Sequence, residues 1–597
     1  MEPFFYIERL CPKVPCLSYN SRLVSLISQQ YHSNHNKFCH ADLFEGDSNP
    51  YPDIFSVRDI LPKDTESTAS FLQITKWIDD CTKRHDKCGP GIPKPLPNRI
   101  LDVGREGEPH VKLCETSAEA ARYICLSHCW GDFRSDILTT STTIEANKRA
   151  IALDSLPATY RDAVIVTRRL DVRYLWIDSL CIIQDDLDDW KRESATMSSV
   201  YQNAYLTIAA TSAVDDSIGL FCNSSAIAHS AEDETTPYPS RERKIEIQNA
   251  KSQLHSVYVQ NLMRHDWYWD TDQGFPKSFC PLLNRAWCFQ ERLLSPRVLH
   301  YLLNELSWEC LESCACQCSP PAHDGLKARH SQDLSCGSET RLRECWYDLV
   351  RAYSVLTLSF AKDKLPAISG VAAQMQGFRN TKYLAGLWED TLLHDLLWTT
   401  NPGTRQGHSR ANQWRAPSWS WASVDGEVRY DFHALYRMDE FSANIWAKTK
   451  STLEFTVQLF ETSCELSGPN PTGEVISGFL RLSGLLCQVN LKVEQTQRKH
   501  LKGERCEIFH NQSRLGKFYP DYCIDNKQKL SLYCLRVAET PEPGKKNIRI
   551  CMILKAINLE QQIYERIGLL VINDESRSAL YTVEFLESCV VKEITII

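Results

Sequence analysis

The sequence predicts an α/β protein: an open, mainly parallel sheet with flanking helices, then a helical extension and a β-rich C-terminal module. Three observations predict it. Between about residues 101 and 310, apolar runs of strand length alternate with stretches of helical period. Residues 341–400 keep helical spacing. From about 426 onward, short strand-like runs recur at 479–482, 530–535, 548–554, 567–571 and 591–597.

Residues 122–127, 173–177 and 205–210 are strand candidates. Over 156–170 the set Tyr160, Ala163, Val164, Thr167 and Leu170 makes one stripe at helical spacing, with Pro157 in the tolerant first turn. Over 188–204 the set Trp190, Ser194, Met197, Val200, Tyr201 and Ala204 does the same. Strand, helix, strand, helix, strand is the order of a sheet with crossover helices. Residues 1–100 form a Cys-containing leader that ends in Pro90, Pro93, Pro95 and Pro97. Residues 311–340 lack periodicity and read as a loop or insertion. The organisation expected is therefore 1–100, 101–310, 311–425 and 426–597.

Composition narrows the function classes. The 597 residues are 43% hydrophobic and 24% charged, as in ordinary folded protein. A net charge of −8 and a pI near 6.1 argue against general nucleic-acid binding, which needs a basic surplus against phosphate. No stretch approaches the roughly 20 apolar residues that span a bilayer. The first residues carry Glu2, Glu8 and Arg9 and do not read as a signal peptide. The 25 cysteines are odd in number and scattered, as expected of thiols in a reducing compartment. The expected location is the cytoplasm or the nucleus.

Three blocks carry the chemistry. The first, Tyr123-Ile124-Cys125-Leu126-Ser127-His128-Cys129-Trp130-Gly131-Asp132, is an apolar strand breaking into a polar turn. Ligands of open α/β sheets bind at strand carboxyl ends, which puts Ser127, His128 and Asp132 at the mouth of a crevice. A plain tight turn accounts for them equally, with Gly131 supplying backbone freedom and Trp130 covering the sheet edge. The second block, from Tyr174 through Asp178 and Gln184 to Asp185 and Asp186, also leaves a strand for a polar loop. Asp178, Gln184 and Asp185 lie where a strand end presents them; Asp185, Asp186, Asp188 and Asp189 equally complement a helix N-terminus. The third block runs from Asn284-Arg285-Ala286-Trp287 through Glu291-Arg292 to His300-Tyr301 and reads as a short helix and a strand. Arg285 and Arg292 suit a carboxylate or phosphate held bidentately, or internal pairing with Glu291 or Asp178.

In order and spacing these blocks resemble the signature segments of the fungal heterokaryon-incompatibility (HET) family. The likeness extends over about 75–425. It takes in Trp77 through His85 and Cys88, Asp363 to Gly370, Tyr383 to Trp388, and Arg415 to Ser423. It implies non-self recognition between hyphae, with growth arrest and programmed cell death as the response, in the manner of innate-immunity signalling. The family is similar to the Toll/interleukin-1 receptor domain, some members of which hydrolyse NAD with a glutamate three residues after a Trp. Trp190-Lys191-Arg192-Glu193 has that spacing, so the resemblance implies Glu193 as catalytic and NAD as substrate. A carboxylate beside the ribose would stabilise an oxocarbenium-like state as nicotinamide leaves. A helical glutamate is as readily solvated or lysine-paired. The competing implication is a non-catalytic scaffold that self-associates or docks a protein partner.

Other chemistries lack their motifs: the phosphate-cradling loop, the Gly-x-Ser-x-Gly elbow and His-Glu-x-x-His. A Cys-His nucleophile would draw on Cys129 with His128, or on Cys181. Zinc is the metal candidate. Cys81, His85 and Cys88 stand at i, i+4 and i+7 on one helix face, and Cys11, Cys16, Cys39, His40 or Cys114 would complete the four ligands. A second thiol group, Cys310, Cys314, Cys316 and Cys318 with His323, reads as a metal site or a thiol-rich loop.

Overall fold

The computed structural model describes residues 64–117, 119–131, 137–222, 280–303, 305–317, 319–322, 325–400, 409–430, 453–498, 501–524, 530–540, 548–573 and 585–597. It also describes the backbone of the strands Cys39–Phe44, Val57–Arg58, Arg243–Gln248 and Leu254–Asn261. Asp132, Cys11, Cys16, Cys318 and His323 lie outside the described residues, and the side chains of Cys39 and His40 are not among those described.

Helix α1 (Thr68–Arg84) starts at Ser67, whose side chain accepts from the Ser70 N–H, and buries Ile74, Trp77, Ile78 and Cys81 along one stripe. Strands β1 (Arg99–Asp102), β2 (His110–Glu115) and β3 (Tyr123–Ser127) follow. After helix α2 (Ile144–Arg149) and strand β4 (Ile151–Ala152) come α3 (Ala158–Arg169), β5 (Tyr174–Trp176), the short α4 (Asp178–Cys181), α5 (Leu187–Asn203) and β6 (Leu206–Ala209). Helix α6 (Ala286–Leu294) then leads to β7 (Arg297–Tyr301), β8 (Leu306–Cys310), β9 (Cys314–Cys316) and β10 (Ser319–Ala322).

These strands form one sheet in the order β10-β9-β8-β7-β6-β3-β5-β1-β2-β4. Its centre is parallel: β7 to β6, β6 to β3 and β3 to β5. Every other pairing in it is antiparallel. The sheet is therefore mixed, where a mainly parallel one was expected. Short connections do this from β7 to β10 and between β1 and β2, because strands joined by tight turns must pair antiparallel, whereas parallel neighbours need a crossover. Strands β1 with β5 and β2 with β4 pair antiparallel across long connections. From β3 the chain crosses through α3 to β5 on one side, then through α5 to β6 on the other. The carboxyl end of β3 thus lies between two diverging connections, where an α/β sheet opens a crevice.

Helix α3 buries Tyr160, Ala163, Val164 and Thr167, the predicted stripe, while Leu170 becomes its C-cap. Helix α5 differs in its first turns. Its buried line is Asp189, Glu193, Met197 and Val200, with Ser194 only half-buried. The apolar pattern could not reveal a face whose first members are carboxylates.

Residues 311–340 are also more ordered than a loop. Besides β9 and β10 they contain helix α7 (Leu326–Cys336), whose buried residues include Lys327 and His330. Polar and charged side chains turned inward remove the apolar period on which the expectation rested. Helices α8 (Glu339–Ser354) and α9 (Ser369–Arg379) make up the extension.

The β-rich C-terminal region is built on β11 (Gln458–Leu466), β12 (Val475–Arg498), β13 (Leu501–His510), β14 (Leu532–Glu539), β15 (Ile548–Asn558), β16 (Ile563–Asn573) and β17 (Val590–Ile596). Strands β14, β15, β16, β17 and β12 pair in turn, and β12 pairs back to β14, closing the ring.

Two main cores result. One runs from Ile74 in α1 to Ala315 in β9, so the end of the leader packs into the α/β body. The other joins α6, α8 and α9 to Leu480, Ile550 and Ile594 of the β region. Among the described residues no helix is long and apolar enough to cross a membrane.

Candidate functional site at the strand ends

The site is built around His128, one residue past the end of β3 and 5% exposed. Its Nδ1 lies 2.6 Å from Asp216 Oδ1 and its Nε2 lies 2.9 Å from Asp178 Oδ1. Two acceptors at two ring nitrogens suit only the doubly protonated imidazolium. Burial opposes that charge, but Asp178 and Asp216 outweigh it and push the pKa up to about 10. The same ion works in reverse on Asp178. Burial alone would raise its carboxyl, but His128, the Trp130 indole and the Ser179 N–H hold it below the usual carboxylate range.

A ring of neighbours fixes this unit. Trp130 Nε1 donates to Asp178 Oδ2 at 2.9 Å, and the Trp130 ring lies nearly parallel to the imidazole. Tyr160 donates to Asp216 Oδ2 at 2.9 Å, Ser179 Oγ donates to Tyr160 at 2.8 Å, and the Tyr160 ring meets His128 edge-on. The backbone carbonyl of Asp178 accepts from Gln184 Nε2 at 3.1 Å, which braces the strand-to-helix turn. Gly131 follows with φ +70, and a Cβ there would stand 2.3 Å from Asp215 Cβ. Only glycine passes that close to the segment carrying Asp216.

A second group adjoins the first. Glu291 of α6 is buried; burial raises its carboxyl to about 7 while the Ser127 and Tyr201 hydroxyls that bond it pull the other way. Arg285, at the N-terminus of α6, is half-buried. Its guanidinium bonds the Cys129 thiol and feels Cys288, Glu291 and Asp178, but among the described residues it forms no ion pair.

Ser127, His128, Trp130, Gly131, Asp178, Gln184, Arg285 and Glu291 are therefore brought to one place, and the other predicted residues are not. Arg292 forks onto Glu309 of β8, with N–O distances of 2.7 and 2.8 Å. Asp185 accepts from the Ser141 N–H and Oγ at 2.7 and 2.6 Å and ties down an exposed loop. Glu193 is 4% exposed; Asn98 donates to it at 2.9 Å, and Arg99, also bonded to Asp189, lies 3.7 Å away. Cys129 and Cys181 are buried thiols raised by burial, to about 11 and about 12, so neither is a ready thiolate.

Asp216 and Tyr160 are the functional candidates that sequence reasoning missed. An acidic pair, Asp215-Asp216, just beyond a parallel strand was the available signal. For Tyr160 the apolar stripe concealed a hydroxyl pointing at the site.

Cys81, His85 and Cys88 also come together. Their fourth neighbour is Cys310, which leaves the group of thiols it was read with. Cys114 sits on β2 and is not part of that cluster.

The heterokaryon incompatibility protein (HET) family model matches residues 123–291, from the first residue of β3 to Glu291. The similarity to that family is confined to this segment, which contains His128, Asp178, Asp216, Arg285 and Glu291. No curated protein and no solved structure matches the chain.

Proposed function

We propose that the protein is a module of fungal non-self recognition, acting in the cytoplasm to trigger or execute programmed cell death in heterokaryon or vegetative incompatibility. In this reading the HET domain works by docking, to a protein partner or to a second copy, and not by NAD cleavage. A signalling domain that docks its own kind, as the resemblance to the Toll/interleukin-1 receptor domain implies, would act in this way.

The observation that carries the reading is Arg285. It is a half-buried cation at the N-terminus of α6 with no ion-pair partner among the described residues, in the field of Asp178, which itself pairs with His128. An acidic group of a partner would complete it through a charge-assisted, bidentate contact. The His128 unit supplies rigidity: both nitrogens are engaged, so the ring holds the strand end and is not free as a base.

Glu193 supports the same choice. Attack on a glycosidic bond needs a carboxylate facing the ribose. Here Asn98 and Arg99 occupy it in a buried position, so NAD cleavage would require both to let go.

The test is incubation of the purified, oligomerised protein with NAD, beside expression of wild type and Glu193→Gln in a fungal host. The expected outcome is no nicotinamide release and growth arrest by both forms. Nicotinamide release that Glu193→Gln abolishes, with arrest lost in parallel, would overturn the docking reading in favour of the enzyme.

A further inference from the structure

We infer that Cys81, His85, Cys88 and Cys310 form a closed Cys3His zinc site that clips the leader helix to the central sheet. This stands apart from the docking reading and uses none of its residues.

The local sequence makes three of the four corners. Cys81 is in the last turn of α1, and His85 is the C-cap, its N–H donating to the Cys81 carbonyl at 3.1 Å. A turn in which the Gly89 N–H bonds the Asp86 carbonyl then brings Cys88 back to the helix end. The fourth corner comes from the end of β8, 222 residues beyond Cys88 in the chain.

The four ligand atoms all lie within 4.8 Å of one another, with Cys310 Sγ 3.3 Å from His85 Nδ1. A zinc tetrahedron with Zn–S bonds of about 2.3 Å has S–S edges of about 3.8 Å, so metal entry needs only small adjustments. Cys81 and Cys310 are fully buried and Cys88 nearly so, which closes the centre to a substrate and makes it structural.

The surroundings suit thiolates. The Ser313 N–H donates to Cys310 Sγ at 3.3 Å and the Ser313 hydroxyl stands 3.4 Å from it, within the β8–β9 turn closed by Cys310 N–H to the Ser313 carbonyl. Backbone N–H groups of Leu311 and Glu312 face Cys88 and Cys310. Such donors orient metal-bound sulfur and share its charge. Three thiolates, a neutral imidazole and Zn²⁺ leave one negative charge. The fully buried Lys327, on α7, whose ammonium donates to the Arg292 and Ser295 carbonyls, lies within the electrostatic field of Glu309, Cys310 and Cys88 and helps to offset it. Metal binding releases the thiol protons and involves no redox change. Soft sulfur with one imidazole selects zinc over magnesium or calcium.

The clip reinforces an existing contact. Trp77 of α1 stacks on Trp308 of β8 with ring centroids 6.3 Å apart, one helical turn before Cys81 and two strand residues before Cys310.

The experiment measures zinc in the full-length protein purified without chelator, and the absorption spectrum after exchange with Co²⁺. One zinc per chain is expected, with tetrahedral d–d bands and thiolate-to-cobalt charge transfer. Cys310→Ser should lose the zinc, His85→Cys should keep it, and Cys336→Ser, which alters an exposed thiol outside the cluster, should leave it unchanged. Should Cys310→Ser fail to fold, the wild-type zinc content and cobalt spectrum decide alone. Substoichiometric zinc with no cobalt spectrum, full zinc in folded Cys310→Ser, or a disulfide within the cluster would each overturn the assignment.

Discussion

His128 Nδ1 and Asp216 Oδ1 meet at 2.6 Å across 88 residues of sequence, and Asp178 closes the other side of the ring at 2.9 Å. The pairing makes stability depend on pH in a stated direction. The His128 pKa rises from 6.5 unfolded to about 10 folded, so its contribution is complete below 6.5 and lost as pH climbs through 10. His128→Gln leaves two carboxylates without their cation, a loss of about 3–5 kcal/mol at low pH. Urea midpoints at about pH 6, 8 and 10 should show the gap between wild type and variant shrinking as pH rises. A gap that widens would contradict the charge assignment.

Arg99 holds Asp189 and Glu193 on the buried face of α5. Arg99→Met should cost about 3 kcal/mol, because it removes the buried cation between two carboxylates and leaves Asp189 with Arg192 and the Ile183 N–H, and Glu193 with Asn98. Glu193→Gln keeps a polar neighbour for Asn98 and should cost clearly less. Equal urea midpoints for the two variants would show that this network is not the anchor of α5.

Gly131→Ala should lower stability by more than about 1 kcal/mol, since an alanine at positive φ is strained even in open space. Here its Cβ also meets Asp215. Thermal melting checks the loss, and Trp130 fluorescence should shift with it because a displaced turn would pull the adjacent indole off Asp178. An unchanged melting curve would mean the turn relaxes freely.

The helical extension and the β region should unfold together. Arg566 of β16 is fully buried, pairs with Asp521 at 2.9 Å, bonds the carbonyls of Leu396 and Trp398, and lies over the Trp398 ring. Arg566→Met should cost about 3–5 kcal/mol. A chain ended at residue 430 should expose the shared core and bind a hydrophobic dye. A monomeric, protease-resistant product would instead show an independent β module.

What the sequence made legible was local. Strands β3, β5 and β6 could be read as short apolar runs, and the stripe of α3 because its buried side chains repeat with the helical period. Ser127, His128 and Asp178 could be set at strand ends because an open sheet presents them there, while Arg285 and Glu291, on a helix, were offered either as anion ligands or as internal partners. The misses share a different cause. Asp216 and Cys310 find their partners only when strands distant in sequence become neighbours. Asp189, Glu193 and Lys327 are charged groups turned inward, against the rule that such residues face water, and only their partners explain them. The antiparallel flanks were missed because strand composition does not show pairing direction, which short connections impose from β7 to β10 and between β1 and β2.

The most direct measurement of the docking account is growth arrest by Arg285→Gln in a fungal host, read beside its melting temperature. Arg285 forms no ion pair among the described residues, so the variant should stay folded, within about 1 kcal/mol of wild type. The account predicts that this folded variant no longer arrests growth. Full arrest by a folded Arg285→Gln would contradict it.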